Sequence, residues 1–212
     1  MYKRQEAEKH GVFPLDDRGF ELFGARFRDL SPHPTSRKYV YRPPMSPIPG
    51  QASAAIGGRS FDLTATITRK KNDHGVLFST GTENSGISIF IQNERLVVDY
   101  NAFDDHSVVR SNIEIPIGYS TLRAQFRRLK RGGEITIYVN EEPSGSIEIP
   151  LFMRMISSVG SSIGYDHGSA VSPQYESPFP FSGELHQIEI QLAAKRAPDA
   201  DEAQARAENA RQ

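Results

Sequence analysis

A strict alternation of apolar and polar residues recurs through most of the chain, between positions 59 and 192. In the stretch FDLTATITR, the apolar Leu63, Ala65 and Ile67 alternate with threonines. A period of two points successive side chains to opposite faces of a β-strand, so that one face can be buried. Short runs of this kind follow one another, separated by Asn-, Asp- and Gly-rich turns such as residues 72–75. Together they predict an all-β, antiparallel β-sandwich over residues 59–192.

The last of these runs has an irregular phase. Ile188, Ile190 and Leu192 fall on one face of a strand, whereas Leu185 is out of phase with them. An extra residue in one strand shifts the alternation by one position and bends the strand locally. We therefore expect a β-bulge near the start of this strand.

Three flanking segments complete the chain. Residues 1–30 carry amphipathic patterns and predict a short helical extension before the sandwich. Residues 31–58 are rich in proline and predict an extended linker or strap, anchored by Tyr39 and Tyr41. Residues 193–212 have alanine as their only apolar residue, which predicts a disordered tail or a frayed, solvated helix.

The composition excludes several classes of function. The 212 residues are 37% hydrophobic and 24% charged with a formal net charge of -1, which is typical of a soluble protein without a basic field for nucleic acid. The chain has no cysteine, which rules out disulfides, thiolate zinc sites and thiol nucleophiles. No apolar run approaches the length of a membrane span, so no membrane partner is expected. The charged residues 1–10 do not form a secretory signal, and the compartment, cytoplasmic or periplasmic, stays open.

Two blocks of sequence carry a family resemblance. These are GVLFSTGTENSGISIFIQNERLVVDYN at 75–101 and IGYDHGSAVSPQYESPFPFSGELHQIEIQL at 163–192. Their order resembles the lectin-like C-terminal domain of bacterial arylsulfatases, and the resemblance extends over residues 6–192. It implies a laminin-G or concanavalin-like jelly roll. It also implies that residues 1–30 are the end of a catalytic domain, so that the chain is a fragment of a longer enzyme.

The catalytic machinery of that family is not in this chain. Such sulfatases carry a Cys-x-Pro-x-Arg motif whose cysteine or serine becomes formylglycine, together with a divalent cation, usually calcium. The segment SPHPTSR at 31–37 does not have this spacing. We expect no catalytic residue, formylglycine or calcium site of this kind here. The expected partner is the catalytic sulfatase domain, packed against this one in the parent enzyme.

The turn at Asp166, His167 and Gly168 is a candidate ligand site. In lectin-like sandwiches, loops at a sheet end can hold calcium or sugar hydroxyls with acidic and aromatic residues, and Tyr175 could supply a ring. The alternative is a tight turn in which Asp166 accepts backbone amide hydrogens and Gly168 takes a positive φ. Asp166, His167 and Tyr175 are the ligand-contact candidates, and both interpretations stand at this point.

Other motifs have structural interpretations. The acidic pair before His106 predicts a solvated hairpin loop. The basic run at 123–131 predicts a strand with a charged outer face. The apolar residues 179–181 could face a partner or anchor the last strand in the core.

Three functions fit this sequence. The first is an accessory domain that packs on a sulfatase catalytic domain and is inactive alone. The second is a carbohydrate-binding module, for example for sulfated glycans, since the fold permits it without establishing it. The third is a concanavalin-like hydrolase, which would need two carboxylates on one face. Glu184 and Glu189 do not provide such a pair.

Overall fold

The computed structural model describes residues 37–50, 52–154, 156 and 159–193. Within these ranges the chain forms eleven strands and no helix. In chain order they are β1 (Lys38–Tyr41), β2 (Phe61–Arg69), β3 (Gly75–Thr82), β4 (Ser85–Gln92), β5 (Arg95–Ala102), β6 (His106–Arg110), β7 (Gly118–Arg128), β8 (Gly133–Val139), β9 (Glu142–Ile149), β10 (Ser161–Ile163) and β11 (Glu184–Leu192). The predicted all-β sandwich is confirmed. The predicted helical extension at 1–30 lies outside the described residues.

Two antiparallel sheets face each other across one core. One has six strands in the order β1-β11-β2-β7-β8-β9, and the other has five in the order β10-β3-β4-β5-β6. Along β2 the side chains alternate between buried and half-buried, as the period of two predicts. The rings of Phe61 and Phe126 stack in the core with centroids 4.3 Å apart. Burial of such large apolar side chains stabilises the sandwich by about 1.5–3 kcal/mol each relative to an exposed position.

The expected bulge is present in the last strand. The pairing of β11 with β2 shifts register between Leu185 and Gln187. His186 is the extra residue at this shift, because Leu185 pairs with Ile67 and Gln187 with Thr66, its immediate neighbour. The bulge restores the phase that Ile188 and the following apolar residues need in order to face the core.

The proline-rich segment contributes to the sandwich itself. Lys38–Tyr41 forms the edge strand β1 on β11, and Tyr41, Ile48 and Ile56 are buried in the core. Burial raises the pKa of Tyr41 to about 12. The segment predicted as a strap therefore begins the sandwich some twenty residues before position 59. Residues 194–212 of the predicted tail lie outside the described residues.

The two sheets differ in what covers their outer faces. Residues 164–183, between β10 and β11, cross the outer face of the five-stranded sheet, and we call them the covering loop. Val76, Phe90 and Val97 of that face pack against Tyr175 and Phe179 of the loop. The outer face of the six-stranded sheet is polar and half-exposed. It includes the charged side of β7, so the strand predicted from the basic run 123–131 is present as far as Arg128, and residues 129–131 lie between β7 and β8.

Candidate functional site

The predicted ligand residue Asp166 fastens the covering loop to the sheet. Its side chain is buried, and its Oδ1 accepts a hydrogen bond of 2.8 Å from Ser79 Oγ. Its Oδ2 accepts the hydroxyl of Tyr175 at 2.6 Å and the backbone N–H of Val171 at 3.0 Å. Three donors thus surround one carboxylate, so a cation or a sugar hydroxyl would have to displace a protein contact to reach it.

Tyr175 belongs to the same buried network. Burial raises the pKa of its phenol, and the neighbouring Asp166 carboxylate raises it further. The phenol therefore stays protonated and donates to Asp166. Ser88 Oγ lies 2.8 Å from the phenol oxygen, which is then its acceptor. The ring packs edge-on to Phe90 and stacks on Phe179 with centroids 5.1 Å apart in both pairs.

His167 completes the predicted trio. It is half-buried, and its Nδ1 contacts the hydroxyl of Ser162. Gly168 has a φ of 90°, and the amide of Val171 bonds to Asp166, so both features of the tight-turn interpretation are present. The structure brings Asp166 and Tyr175 into contact and keeps His167 beside them. Their role in ligand contact stays a prediction.

A second carboxylate, that of Asp99 on β5, binds the covering loop through Ser172. Asp99 on β5 is fully buried; its Oδ2 accepts the hydroxyl of Ser172 at 2.5 Å, and its Oδ1 lies 2.9 Å from Nδ1 of His106. Sequence reasoning placed His106 in a solvated loop and did not single out Asp99. The available signal was an acidic residue inside the apolar run LVVDY, which requires a partner if the strand is buried.

Several polar side chains from two turns lie beside the covering loop at one end of the sandwich. A cavity of about 510 Å³ lies between the β2–β3 turn (residues 72–74), the β4–β5 turn (residues 92–94) and Phe179 of the loop. We call it the end pocket. Pockets that bind small molecules combine a ring surface with a few placed polar groups. The end pocket offers both.

The two turns of the end pocket are joined by a charge pair. Oε1 of Glu94 accepts the backbone N–H of Asn72 at 2.7 Å. Oε2 of Glu94 pairs with the guanidinium of Arg69, whose side chain is 1% exposed and also donates to the carbonyl of Ile115. Burial lowers the pKa of Arg69. The Glu94 carboxylate is therefore a structural clamp beneath the pocket.

Ser182 of the covering loop binds the β2–β3 turn of the end pocket. Oδ2 of Asp73 accepts the backbone N–H of Lys70 at 2.6 Å, and Oδ1 accepts the hydroxyl of Ser182 at 3.1 Å. The same hydroxyl oxygen accepts the N–H of His74 at 3.0 Å. These bonds hold the β2–β3 turn against the end of the covering loop.

Gly75 lets the covering loop approach β3. Its φ is 120°, and a Cβ there would lie 2.2 Å from the carbonyl oxygen of Pro180. The N–H of Val76 donates to the carbonyl of Phe179 at 2.9 Å. This contact fixes the backbone of Phe179 at the rim of the pocket. Of the apolar residues 179–181, Phe179 thus lines the pocket, whereas Phe181 packs against the core.

The end pocket exposes a pair of stacked rings and two side-chain amides that make no hydrogen bond to the described part of the protein. The rings of His74 and Phe179 stack with centroids 5.5 Å apart and an interplanar angle of 25°. Nδ1 of His74 lies 2.9 Å from the carbonyl oxygen of Asn72, so this nitrogen carries a hydrogen and donates it to that oxygen. The side-chain amides of Asn72 and Asn93 have no hydrogen-bond partner within the described part of the chain. The sequence indicated turns at residues 72–74 and at Asn93, and a partner-facing or core role for Phe179, but no shared site.

A second cavity lies between the edges of the two sheets. Its volume is about 620 Å³, and its walls come mainly from β6 and β9, including Arg110 and Ile147, with Asn112 just after β6. It contains no aromatic ring and one charged side chain. The end pocket therefore offers the richer set of contacts for a polar ligand.

Within the described ranges, no group of three or more His, Asp or Glu side chains could hold a metal ion. The same described residues form no helix that is long and apolar enough to span a membrane.

Comparison with known proteins places this fold. No protein-family model and no curated protein matches the chain. A solved structure of the CBM40 domain of the Ruminococcus gnavus IT-sialidase, bound to α2,3-sialyllactose, aligns with 71% of this chain and 83% of its own at 12% identity and a TM-score of 0.50. The Streptococcus pneumoniae NanB sialidase, in complex with a substituted ethanesulfonate, aligns with 81% of this chain and 28% of its own at 15% identity and a TM-score of 0.53.

The chain has a lectin-like β-sandwich fold. At these identities the similarity shows the fold and no more. The resemblance to a lectin-like sandwich domain is confirmed at this level, and no comparison links the chain to arylsulfatases.

Proposed function

We propose that this chain is a carbohydrate-binding module and that the end pocket holds the sugar. The observation that carries the proposal is the combination, in one open cavity, of a stacked ring pair with unoccupied amides. His74 and Phe179 form the ring pair, and Asn72 and Asn93 provide the amides. A sugar presents an apolar C–H face and a rim of hydroxyls, which match an aromatic surface and amide groups.

The fold neighbours support the same class of ligand. The R. gnavus CBM40 domain binds sialyllactose, and its sandwich aligns with most of the present one. Fold alone does not establish function, so the weight rests on the pocket. Each neutral hydrogen bond from the amides contributes about 0.5–1.5 kcal/mol, so we expect the affinity for a single sugar to be weak.

The carboxylates near the pocket favour binding over hydrolysis. A glycosidase needs one carboxyl group as a proton donor and a second as base or nucleophile. Here Asp73 accepts two protein hydrogen bonds, and Glu94 is engaged by Arg69 and by a backbone amide. Both act as fixed acceptors that hold the pocket walls. The hydrolase alternative therefore receives no support from this site.

The test is a binding screen followed by one pocket substitution. Purified chain is titrated calorimetrically with sialyllactose, a sulfated disaccharide and neutral cello-, malto-, xylo- and chito-oligosaccharides. We expect saturable binding to at least one, weakened up to about tenfold by Asn72→Gly, which removes an amide whose hydrogen bond contributes about 0.5–1.5 kcal/mol. Glycine keeps the φ of 67° at this turn. Flat titrations with every ligand would refute the proposal.

An accessory role beside a sulfatase catalytic domain is the second candidate. Its support is the order of motifs in residues 75–101 and 163–192. The comparisons support a glycan ligand better than this role. The test is the DNA sequence upstream of Met1. A reading frame that encodes Cys-x-Pro-x-Arg would support the accessory role, and an in-frame stop codon directly before Met1 would exclude it.

A further inference from the structure

An exposed aromatic pair lies on the outer face of the six-stranded sheet. Tyr119 on β7 is 68% exposed, and its ring is 6.0 Å from that of His186 on β11, at an interplanar angle of 30°. Ile117, close by in the chain, is 66% exposed. Large apolar and aromatic surface left in solvent commonly marks an interaction site. We call the two rings, Tyr119 and His186, the platform.

The β-bulge places His186 in this pair. His186 is the extra residue of the bulge in β11, and bulges occur where a sheet re-aims a side chain, often beside a functional site. Its Nε2 lies 2.8 Å from Oγ1 of Thr68, and its Nδ1 lies 3.4 Å from Oε1 of Glu184. The imidazole is therefore held from both sides. A ring held in advance loses little conformational entropy when a ligand stacks on it.

The platform lies at the same end of the sandwich as the end pocket. Ser182 bonds to Asp73 and His74 in the pocket wall, and Glu184 follows it two residues later. Two residues span at most about 7 Å. Glu184, Thr68 and Tyr119 pair in one row across three strands, and two strand spacings amount to about 10 Å. The platform thus lies within roughly 17 Å of the pocket wall along this path.

We propose that Tyr119 and His186 form a second sugar subsite, so that the ligand is an oligosaccharide extending from the end pocket to the platform. This inference rests on the proposed function of the end pocket. The rings supply a surface for the C–H face of a sugar. The carboxylate of Glu184, whose side chain is 71% exposed, accepts hydrogen bonds from hydroxyls at the platform's edge.

A length series tests the subsite. One to six sugars of each neutral series are titrated into the wild-type chain, Tyr119→Ala, Tyr119→Phe and Tyr138→Ala. Tyr138 is the matched control, because it lies half-buried on the same face, on β8, under the guanidinium of Arg123. We expect Tyr119→Ala to weaken the longest ligands about tenfold and leave the shortest unchanged, while Tyr119→Phe and Tyr138→Ala bind like wild type.

The outcomes separate the subsite from the pocket. If Asn72→Gly weakens binding but Tyr119→Ala changes no ligand in the series, the subsite is refuted and the proposed function stands. An equal effect of Tyr119→Ala on short and long ligands would also refute it, because a distant subsite contacts only the longer ones. If sialyllactose or the sulfated disaccharide binds but no neutral oligosaccharide does, the subsite is refuted and the proposed function stands. If none of these ligands binds the wild-type chain, the proposed function fails and this inference fails with it.

Discussion

Two hairpins of this protein use the same turn sequence in different surroundings. Asn93-Glu94 joins β4 to β5, and Asn140-Glu141 joins β8 to β9, each as a two-residue turn. The φ values are 51° and 64° in the first turn and 50° and 66° in the second. Positive φ at both positions is the geometry of the type I′ turn that suits the twist of a hairpin. The local backbone is therefore nearly identical.

The surroundings give the two turns different tasks. Glu94 pairs with Arg69, whose side chain is 1% exposed, and it ties together the walls of the end pocket. Glu141 is 70% exposed and lies 3.1 Å from Arg123 on the sheet surface. Asn140 accepts the N–H of Thr121 at 2.8 Å, whereas the amide of Asn93 faces no protein partner in the described chain. Local sequence sets the turn, and tertiary position sets its role.

The largest expected difference concerns the two glutamates. Glu94→Ala removes the carboxylate that pairs directly with the buried Arg69 and should lower the free energy of unfolding by about 3 kcal/mol. Glu141→Ala, at a matching positive φ, removes only an exposed pair and should cost about 1 kcal/mol or less beyond the shared backbone strain. Urea unfolding of both variants measures the difference. Equal losses would show that the Arg69 pair does not distinguish the two turns.

The next comparison uses two tyrosines, one on each side of the molecule. Tyr175→Phe removes a hydroxyl that bridges Asp166 and Ser88, and it should lower the free energy of unfolding by about 1–2 kcal/mol. Tyr138→Phe, on the strand that leads into the second turn, should change it by less than about 0.5 kcal/mol. Thermal unfolding of the two variants, Tyr175→Phe and Tyr138→Phe, measures the difference in stability. A neutral Tyr175→Phe would mean that the buried network does not hold the covering loop.

The smallest expected effects separate binding from stability. Asn93→Gly keeps the turn and removes a pocket amide, so glycan affinity should fall up to about tenfold with little change in unfolding. Asn140→Gly removes the bond to Thr121, so it should cost about 1 kcal/mol of stability and leave glycan affinity unchanged. Calorimetric titration and urea unfolding are run on both variants. Loss of binding in Asn140→Gly would contradict the assignment of the site.

Much of the fold was predictable from local pattern. The period of two located the strands, and the phase error at Leu185 located the bulge, because both depend on neighbouring residues in the chain. The edge strand at Lys38–Tyr41 was not predicted as such. The prolines around it indicate an extended segment, and its place in the sheet depends on pairing with β11, about 150 residues away.

The candidate site was less predictable for the same physical reason. Asp166 and Tyr175 carry the residue types of a ligand site, yet both are buried where the covering loop packs on the five-stranded sheet. His74, Asn93 and Phe179 come from three separate segments and meet only when the sandwich closes. No spacing in the sequence encodes such a meeting.

The central claim is that glycan binds in the end pocket. The most direct measurement is a titration of isotope-labelled chain with the tightest oligosaccharide, followed by amide and side-chain chemical shifts. We predict saturable shifts at Asn72, Asn93 and the ring of Phe179, with none at the cavity formed by Arg110 and Ile147. Shifts confined to that second cavity, or the absence of any saturable shift, would contradict the account.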